Sequence, residues 1–143
     1  MFPENLKSLR MEKKKTQEEI ATVMHVTRQT YARWEGGHVE PSLQNLRRIA
    51  DYFDVTVDQL LQDNEIENIG RLKVPPKGRY FYGLVTIDDE MKITLPKGAC
   101  RQFELRARDK LLLLGSDGGG LYMVPPEYLV KRYQQMLSKI EQE

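Results

Sequence analysis

Between Thr16 and Gly37 the chain reads Thr16-Gln-Glu-Glu-Ile-Ala-Thr-Val-Met-His-Val-Thr-Arg-Gln-Thr-Tyr-Ala-Arg-Trp-Glu-Gly-Gly37, and this stretch decides the fold of the first half of the molecule. Two helix starts are written into it. Thr16 with Glu19 three residues on makes a capping box, in which the hydroxyl covers a free backbone N–H and the carboxylate reaches back. Thr27 is a second N-cap, three residues after Met24, so only a tight turn fits between the two helices. Ile20, Ala21 and Met24 face inward from the first helix. Tyr31 and Trp34, three apart, share one face of the second. Gly36-Gly37 ends it.

Short helices continue on both sides. Upstream, Leu6 and Leu9 share a face within Asn5-Leu-Lys-Ser-Leu-Arg10. Downstream, Ser42 caps a fourth helix with Leu43, Leu46, Ile49, Ala50 and Phe53 at core spacing. Thr56 with Gln59 caps a fifth, whose apolar side is Val57, Leu60 and Leu61. Residues 1–62 therefore read as a five-helix domain. Residues 63–79 change character: Gln62-Asp-Asn-Glu65 is polar, and Val74-Pro-Pro-Lys-Gly78 cannot continue a helix or a central strand. They read as a flexible linker, about 16 residues spanning roughly 20–25 Å as a coil.

From Tyr80 the pattern is β. Tyr80 to Ile87 is aromatic and β-branched, Asp88-Asp-Glu90 is a turn, and Met91-Lys-Ile-Thr-Leu95 alternates. Pro96 opens a short helix. Lys110 to Gly115 carries four consecutive leucines, Asp117-Gly-Gly-Gly120 turns the chain, and Leu121 to Val124 returns. Pro125-Pro126 leads to a last helix over 127–143, with Leu129, Tyr133, Met136, Leu137 and Ile140 in one stripe.

Totals narrow the possibilities. The 143 residues are 40% apolar and 30% charged, a globular balance that fits one or two small domains. No apolar run approaches the ~20 residues of a membrane span, and Met1-Phe-Pro-Glu4 lacks the regions of a secretion signal. A single cysteine, Cys100, excludes an internal disulfide framework, so a reducing cytoplasm is the expected location. Net charge is only +1, and residues 1–62 hold nine Lys/Arg against nine Asp/Glu. Affinity for nucleic acid must then come from how charge is placed.

The capped pair of helices, the inward Ile20, Ala21, Tyr31 and Trp34, the Trp-Glu-Gly-Gly ending, Pro41-Ser-Leu43 and Val55-Thr-Val-Asp-Gln-Leu-Leu61 together resemble the phage-repressor-like Cro/CI (Xre) helix-turn-helix family, over about Leu6 to Leu61. The resemblance implies a sequence-specific, double-stranded DNA-binding transcriptional regulator, with repression the expected direction. The physics agrees. A helix fits the major groove, and with Tyr31 and Trp34 inward the other face offers Arg28, Gln29, Thr30 and Arg33, behind the Thr27 cap. Arg pairs its donors with guanine, and Gln matches adenine. The resemblance further implies a phosphate contact for Gln17, which would also brace the start of the reading helix, and an enclosed structural ion pair between Arg10 and Glu35. Two positions depart from the family: His25 stands where glycine is usual, and Lys15 where an apolar residue is common. Lys13 and Lys14 are either phosphate contacts or plain surface.

Gly83-Leu-Val-Thr-Ile-Asp-Asp-Glu-Met-Lys-Ile-Thr-Leu-Pro-Lys97, Asp109-Lys-Leu-Leu-Leu-Leu114 and Gly120-Leu-Tyr-Met-Val-Pro125 resemble the SpoVT/AbrB swapped-hairpin family over residues 80–126. That resemblance implies a β-barrel built by two interleaved chains. Size argues the same way, because four short strands make a small core and the leucine run needs cover on both faces. In that family arginines near the first hairpin and helix often bind DNA. Here Lys92, Lys97 and Arg101 are either such contacts or a solvated rim. The C-terminal helix either packs on the barrel or its twin, or offers a surface to a protein partner, as an antitoxin would to a toxin.

No cofactor or metal is expected. His25 and His38 are 13 residues apart with no ligand spacing around them, Cys100 lacks a framed base, and Gly118-Gly-Gly120 lacks the lysine of a phosphate loop. No catalytic constellation appears. The expected architecture is α+β in two small domains: a five-helix bundle over 1–62, the linker 63–79, a swapped-hairpin barrel formed as a homodimer over 80–126, and a helix over 127–143.

Overall fold

The computed structural model describes residues 1–140, without the side chains of Tyr133, Met136, Leu137, Lys139 and Ile140. Most of the proposed apolar stripe of the last helix therefore lies outside the described residues. Two compact units form, Met1–Thr94 and Leu95–Glu143.

The first unit opens with α1 (Phe2–Glu12), α2 (Gln17–Val23), α3 (Arg28–Glu35), α4 (Leu43–Phe53) and α5 (Val57–Leu61). Caps explain where α2 to α5 start. Both capping boxes close: the Thr16 hydroxyl accepts from Glu19 N–H at 3.2 Å and Glu19 accepts from Thr16 N–H at 2.7 Å. Thr56 and Gln59 do the same at 3.1 and 2.8 Å. Thr27 and Ser42 each cap with a hydroxyl, at 3.1 and 3.3 Å. Three helix ends are turned by residues in the left-handed region, Lys14 after α1, His25 after α2 and Asp54 after α4.

One core fills the space between the helices: Leu6, Leu9, Ile20, Ala21, Met24, Tyr31, Trp34, Ile49, Ala50, Phe53, Val55 and Leu60. Two residues expected in it, Leu43 and Leu61, are instead exposed. Each sits next to its helix terminus, where the helix face no longer points into the bundle.

Residues 63–79 differ from the flexible link expected of them. They hold a short antiparallel pair, β1 (Glu65–Ile66) and β2 (Gly70–Arg71), and the segment lies against the helices. Ile66 and Val74 are buried, Val74 within the helical core cluster. Lys77 N–H donates to Asp54 C=O at 3.0 Å. The cause is a set of side-chain donors at distant positions, described below.

The strands expected over 80–87 and 91–95 are absent from the single chain. The turn between them does form, with Asp88 N–H to Lys92 C=O at 2.9 Å and Met91 N–H to Asp88 C=O at 3.0 Å. A strand needs a neighbour to take its N–H and C=O groups along its length. One turn does not supply it, and Leu84, Val85, Ile87, Met91 and Ile93 stay exposed.

The second unit has α6 (Lys97–Gln102), β3 (Leu112–Ser116), β4 (Gly120–Val124) and α7 (Pro126–Ile140). β3 and β4 pair antiparallel, Leu113 opposite Met123 and Leu114 opposite Tyr122. The described residues thus hold two separate two-stranded sheets and no closed barrel. No described helix is long and apolar enough to cross a membrane.

Candidate nucleic-acid interface

Helix α3 is the centre of the site. Tyr31 and Trp34 are almost wholly buried, their rings 6.0 Å apart edge to face. At 100° per residue, that anchor turns Gln29, Ala32 and Arg33 outward, with Arg28 at one edge and Thr30 at the other. Arg28, Gln29 and Arg33 are exposed and Thr30 is half-buried. Thr30 is also occupied: its N–H donates to the Thr27 hydroxyl at 3.1 Å, and the two hydroxyls lie 2.9 Å apart. Ala32, half-buried, was missed from sequence. Its signal is helical phase: a small side chain beside Gln29, on the Arg28 side, lets a groove approach closely and can meet a thymine methyl. The first turn of α3 holds no acidic residue, so the positive end of its dipole is uncancelled.

A polar knot fixes the orientation of α3. Arg10 on α1 donates from Nε to Glu35 Oε1 at 2.6 Å and from a terminal nitrogen to Oε2 at 3.1 Å. It also donates to Lys15 C=O at 2.8 Å. The two side chains keep only 15% and 4% of their exposure. Gln17, at the start of α2, donates its amide to Glu35 Oε2 at 3.0 Å. The brace that Gln17 makes therefore runs to the end of α3, not to its start. Burial pushes the Glu35 carboxyl upward, but the hydrogen bonds from Arg10 and Gln17 outweigh it and hold its pKa below the ordinary value. Arg10 is raised in turn by its bond to Glu35. Tyr31, buried beside this carboxylate, is raised by burial and then by the Glu35 charge.

The remaining candidates are scattered. Lys13 lies over the Tyr52 ring at 4.8 Å and near that of Phe53 at 5.9 Å, a cation–π position on α4. Lys14 is exposed. Lys92 is paired with Glu90 in its own turn. Lys97 and Arg101 are exposed on α6 in the second unit. Acidic groups that would repel a phosphate backbone are partly engaged. Glu19 bonds Thr16 and Lys15, which hold its pKa at about 2, and Glu12 pairs with Lys73 at 3.6 Å. Lys15 is exposed and ion-paired to Glu19 at 3.0 Å rather than packed inward. Among the described residues no group of His, Cys, Asp or Glu is placed to hold a metal.

Comparison with known proteins adds a family. Residues 6–60 match the helix-turn-helix family model, the span that carries the capped pair and the α3 face. These residues form a helix-turn-helix of the Cro/CI/Xre type. Over 99 residues the chain is 33% identical to the HTH-type transcriptional activator BcrR of Enterococcus faecalis, covering 66% of this chain and 48% of that protein. Over 73 residues it is 32% identical to the cryptic phage CTXphi transcriptional repressor RstR of Vibrio cholerae, covering 51% and 66%. The chain thus spans about half to two thirds of the length of these relatives. Among solved structures, the SOS-response transcriptional repressor LexA of Eubacterium rectale is similar at a TM-score of 0.42 and 32% identity, over 56% of this chain and 82% of that one. Within the helix-turn-helix, α2 and α3 are the paired helices, and α3 is the one whose exposed face bears the arginines.

Proposed function

We propose that the protein is a sequence-specific regulator of transcription that binds double-stranded DNA in the cytoplasm as a homodimer and represses by occupying an operator. One observation carries the reading. The aromatic pair Tyr31 and Trp34 is locked in the core, and Arg28, Gln29 and Arg33 are thereby left exposed on α3. In this reading Gln29 and Arg33 meet base edges near the middle of the helix, Arg28 reaches a base edge at its start, and Thr27 and Thr30 order the first turn. Gln17 holds α3 through Glu35. That relatives include regulators, one named an activator and one a repressor, supports the class more than the direction. The dimer is supported by the bare apolar side chains of 84–93 and of β3–β4, which a second copy would cover.

Selection of bound sequences from a random duplex pool tests the reading. Enrichment of one half-site, present twice in a site, is expected. Arg28→Ala should then lose about 1–3 kcal/mol on the selected site and relax preference at one position. Equal affinity of the wild-type protein for selected and random duplex would refute the assignment.

A further inference from the structure

The segment 63–79 has the composition of a tether, yet it is held against the helices by side chains far away in sequence. Asn5 on α1 is the first anchor. Its Oδ1 accepts from Asn64 at 3.4 Å and from Arg71 at 3.3 Å, while its amide donates to the carbonyls of Leu60 and Gln62 at 3.0 and 2.7 Å. Gln59 and Gln62 on and after α5 hold the later part. Gln59 Nε2 donates to Arg79 C=O at 2.6 Å and Pro76 C=O at 3.3 Å, and Gln62 Nε2 donates to Phe81 C=O at 2.6 Å.

Gln59 divides its two ends between two tasks. Oε1 accepts from Thr56 N–H and closes the capping box of α5. Nε2 serves only the strap. Glutamate closes a capping box as well as glutamine does, so the cap alone does not call for an amide here. The strap does, because a carboxylate cannot donate to two carbonyls.

We propose that Gln59 and Gln62 are positioning residues for operator recognition: by fastening residues 76–81 to α5 they remove the slack between the reading head and the region that pairs two chains, and so make the protein discriminate half-site spacing. This rests on the reading of the protein as a DNA-binding dimer. The magnitude matters. Two free tethers, each of roughly 20–25 Å root-mean-square reach, would accept half-sites whose separation differs by much of the 34–36 Å helical turn. A fastened strap takes residues 63–81 out of that reach, and a mis-spaced second half-site then contributes less to avidity.

The test uses the full chain and duplexes carrying two selected half-sites, their separation stepped one base pair at a time through a helical turn. The wild type should show a peaked profile, with about tenfold between best and worst spacing. Gln59→Glu keeps the cap and removes the strap donor. It should flatten the profile to within about threefold while affinity for a single half-site stays unchanged. Trypsin should cut the variant faster after Lys77 and Arg79. Gln62→Ala, which leaves the capping box untouched, should act in the same direction. A wild type that selects no sequence overturns the functional reading itself. A wild type that selects a half-site but binds all spacings alike overturns the strap's role alone. So does a variant whose strap opens to trypsin while its spacing profile stays peaked, or one whose strap stays closed.

Discussion

His25 sits at φ 56° between α2 and the reading helix, with its N–H donating to Thr22 C=O at 3.1 Å. The left-handed region puts a Cβ close to the following carbonyl, at about 1–2 kcal/mol for an ordinary residue. Glycine avoids that clash but loses more chain entropy on folding, about 0.5–1 kcal/mol. The imidazole is exposed, so the clash decides. His25→Gly should stabilise the protein by roughly 0.5–1 kcal/mol, read as a higher urea midpoint with unchanged slope and unchanged DNA affinity. A lower midpoint would mean that the histidine side chain contributes something the conformation does not. Lys14 and Asp54 hold the same left-handed conformation at other helix ends, at φ 54° and 55°. Relief at one of these corners therefore leaves the others as they are.

At the scale of elements, Glu35 is where α1, α2 and α3 meet, through Arg10 and Gln17. Its folded pKa lies below the usual carboxylate value, so the stabilisation it brings is fully present above the unfolded pKa of about 4.3. That stabilisation is lost as pH falls through the folded value. Glu35→Gln should cost about 1.5–3 kcal/mol at pH 7, the scale of charge-assisted hydrogen bonds, and the gap to wild type should close as the pH is lowered below 4. Chemical denaturation at pH 7 and pH 3 measures it, and a gap that stays constant would show that the charge is not the stabilising feature. The helices of this region were legible because α2 to α5 each start with a hydroxyl at the cap and each buried face repeats at helical spacing. The docking of 63–81 was not. Of the apolar Ile66, Ile69, Leu72 and Val74 only Ile66 and Val74 are buried, nothing in the spacing singles out those two, and the segment's partners Asn5, Gln59 and Gln62 are ordinary polar residues by type. Within the site, Arg28, Gln29 and Arg33 followed from the inward phase of Tyr31 and Trp34. The destination of Gln17 did not, because it depends on where the end of α3 comes to lie in space.

The whole molecule leaves apolar surface that its own chain does not cover. In the β3–β4 hairpin Leu112, Leu114 and Tyr122 lie on one face and Leu113, Leu121 and Met123 on the other, by the alternation of the ladder. Leu113 is 60% exposed and Leu121 76%, and the first face is open as well. A two-stranded ribbon bare on both sides is marginal in water, and Leu84, Val85, Ile87, Met91 and Ile93 add further exposed apolar side chains on stretches that form no strand. In the proposed dimer a second chain would pair those stretches and bury the leucines, with the pairing isologous as in most small homodimers. The protein should accordingly sediment as two chains at micromolar concentration. Leu113→Lys places a charge in the buried face and should shift the equilibrium toward single chains, weaken binding to paired half-sites, and leave binding to one half-site intact. A wild-type protein that sediments as one chain at every concentration, with no dependence of its thermal midpoint on concentration, would leave the exposed leucines without this partner. It would also remove the basis for two-site recognition.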